Sequence, residues 1–420
     1  MNLVCISTCS RLFLSPTIAL EGFQPMVSAL LLVIIYLSFI SLGLPDSMLG
    51  AAWPLMFGDI GALVNQVGNL SMATCLGTII SALTFAKLAK RFSTGIITSV
   101  SILITSIGLL LVGRVTSFWM LYPIVFFLGL GGGCVDSALN NYVTLHYSTA
   151  AISFLHGFWG LGTIVGPLLL GLLVPHGFAW RNGYTTLSLI QLVICIISVL
   201  ALPLWKHNEK AKSTEEQEET EEQVEIIPYK DALRKKAAVT ALLSFIVYCA
   251  FENCNMVWGA TYMVSRGLTE AQAATNASFF FWGMTIGRML TGFIANKLGD
   301  YKMIRLGDGL MILGLLTMFT LPSSLLWLVF LLLGLGCAPV YPMMIHQTPD
   351  LFDRNGAAVL IGLQIASAYI GSSLTPPLFG FISKYTSMKA LPLYLSLFLL
   401  LCILCTERKA RVLKEKGARR

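Results

Sequence analysis

Charged residues are scarce in this 420-residue sequence: Asp, Glu, Lys and Arg together make up 12% of it, whereas hydrophobic residues make up 56%. The mean hydropathy is +0.77. Soluble globular domains contain about 25% charged residues, so this composition excludes a soluble protein. It predicts a chain that crosses a membrane many times.

The sequence also lacks the motifs of nucleotide hydrolysis, metal binding and covalent catalysis. It contains no Walker phosphate-binding loop and no Ser/His/Asp catalytic pattern. Cys402 and Cys405 have the spacing of a metal site, but they stand in an apolar run without a His or carboxylate beside them. We therefore expect no enzyme activity, no metal and no cofactor. Uphill transport would have to use an ion gradient.

Twelve apolar segments are each long enough to cross a hydrocarbon layer of about 30 Å as a helix, which takes about 20 residues. They are predicted at 27–50, 65–87, 95–113, 118–142, 152–174, 183–204, 237–262, 274–296, 303–321, 325–346, 356–381 and 390–406. The expected fold class is an all-α membrane protein with twelve transmembrane helices.

The positive charges are distributed unevenly between the predicted loops. The chain has 28 Lys and Arg residues. With both termini in the cytoplasm, 22 of them lie on the cytoplasmic side and five outside, and Arg288 lies within the membrane. Because cytoplasmic loops carry an excess of positive charge, this predicts a multi-pass protein of the inner or plasma membrane with cytoplasmic termini. The net charge of +7 then reflects topology, and no nucleic-acid partner is expected.

Glycine motifs recur between the two halves of the chain at similar offsets. Gly77 matches Gly283 at an offset of 206, GLG at 129–131 matches GLG at 334–336 at 205, and the glycines at 162 and 171 match those at 371 and 380 at 209. Offsets this similar, in the same order, predict two six-helix halves related by a parallel repeat. The same alignment places Tyr341 opposite Asp136.

Composition divides the chain into five parts. An N-terminal extension spans 1–26, six-helix bundles span 27–204 and 237–406, a linker spans 205–236, and a basic cytoplasmic tail spans 407–420. The linker contains the acidic run STEEQEETEEQVE without an apolar period, so we expect it to be solvated and cytoplasmic. The extension is expected to be disordered, with Met26 as an alternative start of translation.

Two acids in the first half stand where an ionisable group is costly. Asp136 follows an apolar run and, at 3.6 residues per turn, shares a helical face with Asn140. Asp46 follows Pro45, which is expected to kink or loosen the first helix. An ionisable group inside a membrane costs on the order of 2.5 to 3.5 kcal/mol and is usually functional. Both acids are candidate proton carriers, and Asp46 and Asn140 are candidate solute ligands. The alternative is an acid near a helix end that is solvated.

The second half contributes a third acid and a buried cation. Glu252 is a candidate proton carrier that shares a helical face with Asn255 and is flanked by Trp258. An acid, an amide and an indole that face a cavity can hold a sugar, but the same groups also form hydrogen bonds between helices. Both interpretations stay open. Arg288, deep in the eighth helix, is expected to form a structural ion pair, with solute binding as the alternative.

Four further residues complete the candidate solute-binding set. His156 and Trp159 occupy adjacent turns of the fifth predicted helix. Tyr341 lies in the tenth helix, and Gln364 lies in the eleventh. A single histidine in a membrane is more often a hydrogen-bonded structural residue, but beside Trp159 it becomes a candidate ligand.

Five segments resemble the fucose permease-like branch of the major facilitator superfamily. They are SLGLPDSMLGAAWP at 41–54, GLGGGCVDSALNNYV at 129–143, HGFWGLGTIVGP at 156–167, FWGMTIGRMLTG at 281–292 and GLGCAPVYPMMI at 334–345. The resemblance implies two six-helix bundles, alternating access, and symport of a sugar with protons. The functional acids of that family in helices 1 and 4 correspond to Asp46 and Asp136.

The sequence departs from that branch at several positions. The fucose permease carries a glutamate where this chain has Asp136, and amides in helix 5 where it has His156 and Trp159. It also has no counterpart of Glu252. We therefore expect a monomeric, proton-coupled symporter of a monosaccharide or similar hydroxylated solute in a lipid bilayer, without implying fucose itself. The alternative is a proton-coupled antiporter that exports amphipathic small molecules.

Overall fold

The computed structural model describes residues 16–147, 149–205, 233–234, 237–351 and 354–417. Within these ranges twelve long helices follow one another: α1 Pro16–Met56, α2 Val67–Ala89, α3 Thr94–Val112, α4 Leu121–His146, α5 Thr149–Leu173, α6 Trp180–Leu200, α7 Ala238–Ser265, α8 Glu270–Leu298, α9 Asp300–Thr320, α10 Leu326–His346, α11 Arg354–Tyr385 and α12 Leu391–Gly417. A single helical turn, Thr348–Leu351, precedes α11.

Eleven helices in the described part of the chain are long and apolar enough to cross a membrane. The remaining long helix, α8, contains Glu270, Arg288 and Lys297, which lower its mean hydropathy. It nevertheless has 29 residues, and at 1.5 Å per residue this length of about 43 Å exceeds the thickness of the hydrocarbon layer. The predicted all-α membrane fold is confirmed.

The first and last helices are longer than the sequence predicted. α1 begins at Pro16, whereas its start was expected near 27. α12 continues to Gly417, through much of the segment predicted as a tail. Contacts explain this continuation: Glu407 pairs with Arg305 of α9 over 2.7 Å, and Lys409, 1% exposed, donates to Ser244 of α7 over 3.0 Å. Residues 1–15, most of the predicted linker and residues 418–420 lie outside the described ranges.

α1 is continuous through Pro45, where the sequence predicted a kink or a loosened turn. Pro45 has no N–H to donate to the carbonyl of Ser41, one turn earlier. Nε2 of Gln191, on α6, donates to that carbonyl over 2.9 Å and to Oγ1 of Thr105 on α3 over 2.8 Å. A buried amide from another helix therefore supplies the hydrogen bond that the proline removes.

The two halves of the chain repeat the same helix contacts. α1 packs on α5 and α2 on α4 in the first half, and α7 packs on α11 and α8 on α10 in the second. A Cβ atom at Gly129 of α4 would overlap the carbonyl of Thr74 on α2, and one at Gly334 of α10 would overlap the carbonyl of Phe280 on α8. The repeat predicted from the glycine offsets is therefore a structural repeat of two six-helix bundles.

The two bundles are in close contact at one end of the molecule. We call this the far end: α1 ends there and α2 begins there, and the opposite end is where α12 ends. Gly68, in the first turn of α2, packs directly on the backbone of Pro376 in α11. Nδ2 of Asn65 donates to the carbonyl of Gly380 over 3.3 Å. The start of α2 and the last part of α11 therefore hold the far end together.

Candidate solute-binding site

A cavity of about 360 Å³ lies between the bundles, and the first bundle supplies most of its wall. Leucine, valine and methionine side chains of α1, α3, α4 and α7 form its apolar part. Its polar and aromatic lining residues are Asp46, Ser71, Thr74, Thr78, Asp136, Trp159, Tyr184, Asn253, Tyr369 and Ser372. A cavity of this volume with a few convergent polar groups is typical of a small-molecule site.

Asp46 lies in the wall of this cavity, exposed on α1. Its Oδ2 accepts a 2.8 Å hydrogen bond from Nε1 of Trp159 on α5. The hydrogen bond links two neighbouring helices of the first bundle and fixes the orientation of the carboxylate. Trp159 lines the same cavity, so its indole is also available to a bound solute.

Asp136, the second carboxylate in the wall, lies on α4 and is half-buried. Its Oδ1 accepts a 2.8 Å hydrogen bond from Nδ2 of Asn140, which also donates to the Asp136 carbonyl over 3.0 Å. Asn140 thus contacts the acid and is not itself a lining residue. The predicted pairing of acid and amide on one helical face is present.

Trp159 also connects the cavity to an ion pair of the second bundle. Cζ of Arg288 lies 5.0 Å from the centroid of the Trp159 ring, within the range of a cation–π interaction. Nη2 of Arg288 lies 3.5 Å from Oε1 of Glu252, and the two side chains are 19% and 15% exposed. Asp46, Trp159, Arg288 and Glu252 therefore form a continuous chain from α1 to α7 that crosses from one bundle to the other. Glu252 contacts Arg288 and does not line the cavity.

Three predicted solute ligands are buried and are not among the described residues that line the cavity. Asn255 is 2% exposed and donates to the carbonyl one turn earlier in its own helix over 2.8 Å. Trp258 is fully buried and donates to the carbonyl of Pro376 over 3.1 Å. Gln364 is fully buried and accepts a 2.9 Å hydrogen bond from Thr348. In this arrangement each side chain forms a hydrogen bond within the protein, and their role as solute ligands stays a prediction.

His156 and Tyr341 lie near the cavity but are not among the described residues that line it. The His156 ring packs edge-on against Phe39 with centroids 5.8 Å apart. The Tyr341 ring packs edge-on against Phe245 at 5.2 Å. Both side chains are half-buried and serve as packing residues here.

The charge at the cavity is of one sign. Two carboxylates line it, and none of its described lining residues is basic. Nor do the described parts of the chain bring three or more His, Cys, Asp or Glu residues together in a group that could hold a metal ion. The lining instead combines hydrogen-bond acceptors, hydroxyl groups, an amide and an indole.

The family described as the Major Facilitator Superfamily matches residues 35–268 and again residues 240–419. The chain belongs to the major facilitator superfamily. The two matches overlap only at 240–268, which covers most of α7. Membership makes the protein a transporter and gives the cavity between the bundles its significance.

Individual relatives are distant. The chain is 25% identical over 335 residues to the cis,cis-muconate transport protein of Acinetobacter baylyi, which covers 76% of this chain and 79% of that protein. It is 21% identical to the glucose/mannose transporter GlcP of Bacillus subtilis, over 82% and 86% of the two chains. The structure of the nucleoside transporter NupG superposes with a TM-score of 0.71 at 12% identity, over 90% and 98%. The superfamily is established, and the fucose permease-like branch stays a prediction.

The sequence predicted three of the ten polar and aromatic lining residues, Asp46, Asp136 and Trp159, and missed the other seven. Asn253 and Tyr369 both line the cavity, and neither was predicted. Asn253 lies one residue beyond Glu252, about 100° around the helix, and shares its face with Val257, another lining residue. The available signal was therefore the first amide of the segment ENCN, Asn253, which lines the cavity, whereas the second amide, Asn255, does not.

Proposed function

We propose that this protein is a proton-coupled symporter that carries a monosaccharide or similar hydroxylated solute by alternating access. The observation that carries the proposal is the chemistry of the cavity wall, in which Asp46, Asp136 and Asn253 lie with hydroxyl side chains and the Trp159 indole. Carboxylate and amide oxygens accept hydrogen bonds from solute hydroxyls, and the amide N–H group donates to them. The indole supplies an apolar face for the C–H surface of a sugar ring.

The same lining favours a neutral solute over an anion. A buried anion needs a cation or several hydrogen-bond donors to offset the loss of water. Arg288, which lies beyond Trp159, is already paired with Glu252. For this reason we assign a neutral hydroxylated solute, even though one relative is a cis,cis-muconate transport protein.

Two carboxylates at one cavity also support proton coupling. A carboxyl group in a low-dielectric surrounding favours its neutral, protonated form, and exposure to water favours release of the proton. Alternating access changes that exposure, so loading and release can occur on opposite sides of the membrane. Asp46 and Asp136 are the proposed carriers, and Glu252 is the third candidate.

The proposed orientation places both termini in the cytoplasm and the far end outside. An even number of crossings puts the two termini on the same side, and the predicted excess of 22 to five Lys and Arg residues selects the cytoplasm. We propose that the protein acts as a monomer in the inner or plasma membrane. Labelling of single cysteines in the segment 205–236 from either side of intact cells tests this orientation.

A ligand panel on the purified full-length protein tests the solute class. A solute that binds the folded state stabilises it in proportion to RT ln(1 + [L]/Kd), about 2.7 kcal/mol at a concentration of 100 Kd. We expect D-glucose, D-mannose or L-fucose to raise the unfolding temperature, and cis,cis-muconate to leave it unchanged. In proteoliposomes an inward proton gradient should drive accumulation of the stabilising sugar, and a protonophore should abolish it.

The second candidate function is a proton-coupled antiporter that exports amphipathic small molecules. The observation in its favour is the apolar part of the wall, formed by side chains from four helices. In that case a lipophilic compound such as tetracycline, and no sugar, would stabilise the protein. Stabilisation by muconate alone would contradict both candidates, because it would require a cation in the site.

A further inference from the structure

α11 has a backbone carbonyl beside the cavity that lacks its usual donor within the helix. Pro376 and Pro377 stand inside this helix. Because a proline has no N–H, Pro376 leaves the carbonyl four residues earlier, that of Ser372, without its helical donor. Ser372 itself lines the cavity. A proline inside a helix is also a common position for bending. The last part of α11 can therefore pivot at this point unless another group fixes the free carbonyl.

Asn253 of α7 supplies that group. Its Nδ2 donates to the Ser372 carbonyl over 2.6 Å and to Oγ of Ser71 on α2 over 3.4 Å. One amide thus connects α7 and α11 of the second bundle to α2 of the first. Asn253 also lines the cavity, so a bound solute can reach the same amide.

The first bundle has a comparable contact, in which a side-chain amide donates to a carbonyl that a proline leaves without its helical donor. It differs in its access to the cavity. Gln191 donates to the Ser41 carbonyl that Pro45 leaves free, but Gln191 is 1% exposed and does not line the cavity. The Gln191 amide therefore stabilises α1 and does not line the cavity. At Asn253 the Oδ1 atom accepts no hydrogen bond from the described residues, so a solute hydroxyl can bind this amide and compete for its N–H group.

The segment beyond Pro376 closes the far end. Pro376 packs on Gly68 of α2, and the Gly380 carbonyl accepts the hydrogen bond from Asn65. If α11 bends at Pro376, the segment 376–385 moves relative to the start of α2. The segment 376–385 therefore connects the hydrogen bond from Asn253 to the Ser372 carbonyl with the contacts that close the far end.

We propose that Asn253 is a solute ligand that also controls the bend of α11 at Pro376. A solute hydroxyl that takes the amide hydrogen of Asn253 removes the donor from the Ser372 carbonyl. The segment 376–385 then separates from α2, and the far end opens. The identity of the solute rests on the proposed function, whereas the control of the bend by Asn253 does not.

Backbone hydrogen exchange of the full-length protein, measured by mass spectrometry without solute, tests the bend first. Asn253→Ala should accelerate exchange in 372–385 and in the start of α2 by about three- to tenfold, the effect of one lost hydrogen bond on the opening equilibrium. Asn253→Leu, which has a similar volume but no donor, should have the same effect. Agreement between the two variants would show that the lost hydrogen bond, and not the lost side-chain volume, is the cause. Gln191→Leu is the matched control and should leave exchange in 372–385 unchanged.

A second arm adds D-glucose, D-mannose or L-fucose. Wild type should then exchange faster in 372–385, whereas the Asn253 variants should show no further change. Asn65→Ala removes a far-end hydrogen bond outside the cavity, so it should start from faster exchange and still respond to the sugar. Wild-type exchange rates in Asn253→Ala and Asn253→Leu would overturn the proposal. If exchange is accelerated in those variants but no sugar changes exchange in the wild type, the result would support control of the bend by Asn253 and contradict the proposed solute class.

Discussion

Trp159 donates a 2.8 Å hydrogen bond to Asp46, and this contact joins α5 to α1 in the wall of the cavity. The same indole lies beneath the guanidinium group of Arg288, which pairs with Glu252. A solute that binds Asp46 therefore contacts the carboxylate that Trp159 positions, and Trp159 also contacts the ion pair of the other bundle. This geometry makes Trp159 the connection between solute binding and the interface of the bundles.

Replacing Trp159 by Phe should weaken solute binding. The substitution removes the indole N–H group and keeps an aromatic ring beneath Arg288. Hydrogen bonds to charged groups contribute about 1.5 to 3 kcal/mol, so the KM for uptake of the transported solute should rise by at least about tenfold. Trp282→Phe is the matched control, because Trp282 is 37% exposed on α8 and lies outside the cavity. Equal KM values for the two variants would show that the Asp46 contact does not shape the site.

Breaking the pair of Glu252 and Arg288 should destabilise the protein. Both side chains are mostly buried, and removal of one partner leaves the other charge without compensation, at a cost of about 3 kcal/mol. Arg288→Met and Glu252→Gln should each lower the unfolding temperature, and the double variant should recover part of the loss. Thermal unfolding of the four proteins measures this coupling.

The pair of Arg305 and Glu407 is the internal comparison. Arg305 is 54% exposed, so water screens its charge. Arg305→Met should lower the unfolding temperature far less than Arg288→Met does. If Arg288→Met instead melts like wild type and only loses affinity for solute, Arg288 is a binding residue.

Glycine at the contact of α2 with α4 should be required for stability. The Cβ atom of alanine at Gly129 would meet the backbone of Thr74, which cannot move away as a side chain can. Overpacking of this kind costs about 1 to 3 kcal/mol. Gly129→Ala and its repeat counterpart Gly334→Ala should therefore both lower the unfolding temperature. Gly292→Ala in α8 has open space around the added methyl group and should be neutral or stabilising.

These glycines also show what the sequence could predict. The number of helices follows from the length of the apolar runs, and the repeat follows from glycines whose spacing reflects close contacts between helices. Both signals are local to a helix or to a pair of helices. They survive in the sequence because a side chain at Gly129 or Gly334 would prevent the packing.

The face that each helix presents to the cavity was harder to predict. α7 is in contact with α1, α8, α11 and α12, so its apolar residues surround it and define no single face. Trp258 and Asn255 were predicted as ligands, yet both are buried in contacts with protein carbonyls. Asn253 lines the cavity and donates to the Ser372 carbonyl of α11, a contact between helices that the sequence of α7 alone does not reveal. The partner of Arg288 was likewise unidentified, since it comes from another helix.

The last prediction divides the work of the two carboxylates. Asp136 is half-buried and already bonded to Asn140, whereas Asp46 is exposed in the cavity and bonded to Trp159, itself a lining residue. An acid that is shielded from water inside a membrane is usually functional, and Asp136 is the less accessible of the two, so we assign proton transport to Asp136 and solute binding to Asp46. Asp136→Asn mimics a permanently protonated site and should abolish gradient-driven accumulation while sparing solute exchange. Asp46→Asn should weaken binding and reduce both.

Accumulation and counterflow in proteoliposomes measure these two activities separately. The neutral amide conserves the shape of each side chain, and Asn141→Ala, one residue beyond Asn140 and outside the cavity lining, serves as the matched control on α4. The reverse pattern in the two variants would exchange the two roles. If proton-driven accumulation persists in both variants, we would assign proton transport to Glu252 or His156 instead. The chain of contacts from Asp46 through Trp159 to Arg288 would then connect the solute to that proton, because Arg288 already holds Glu252.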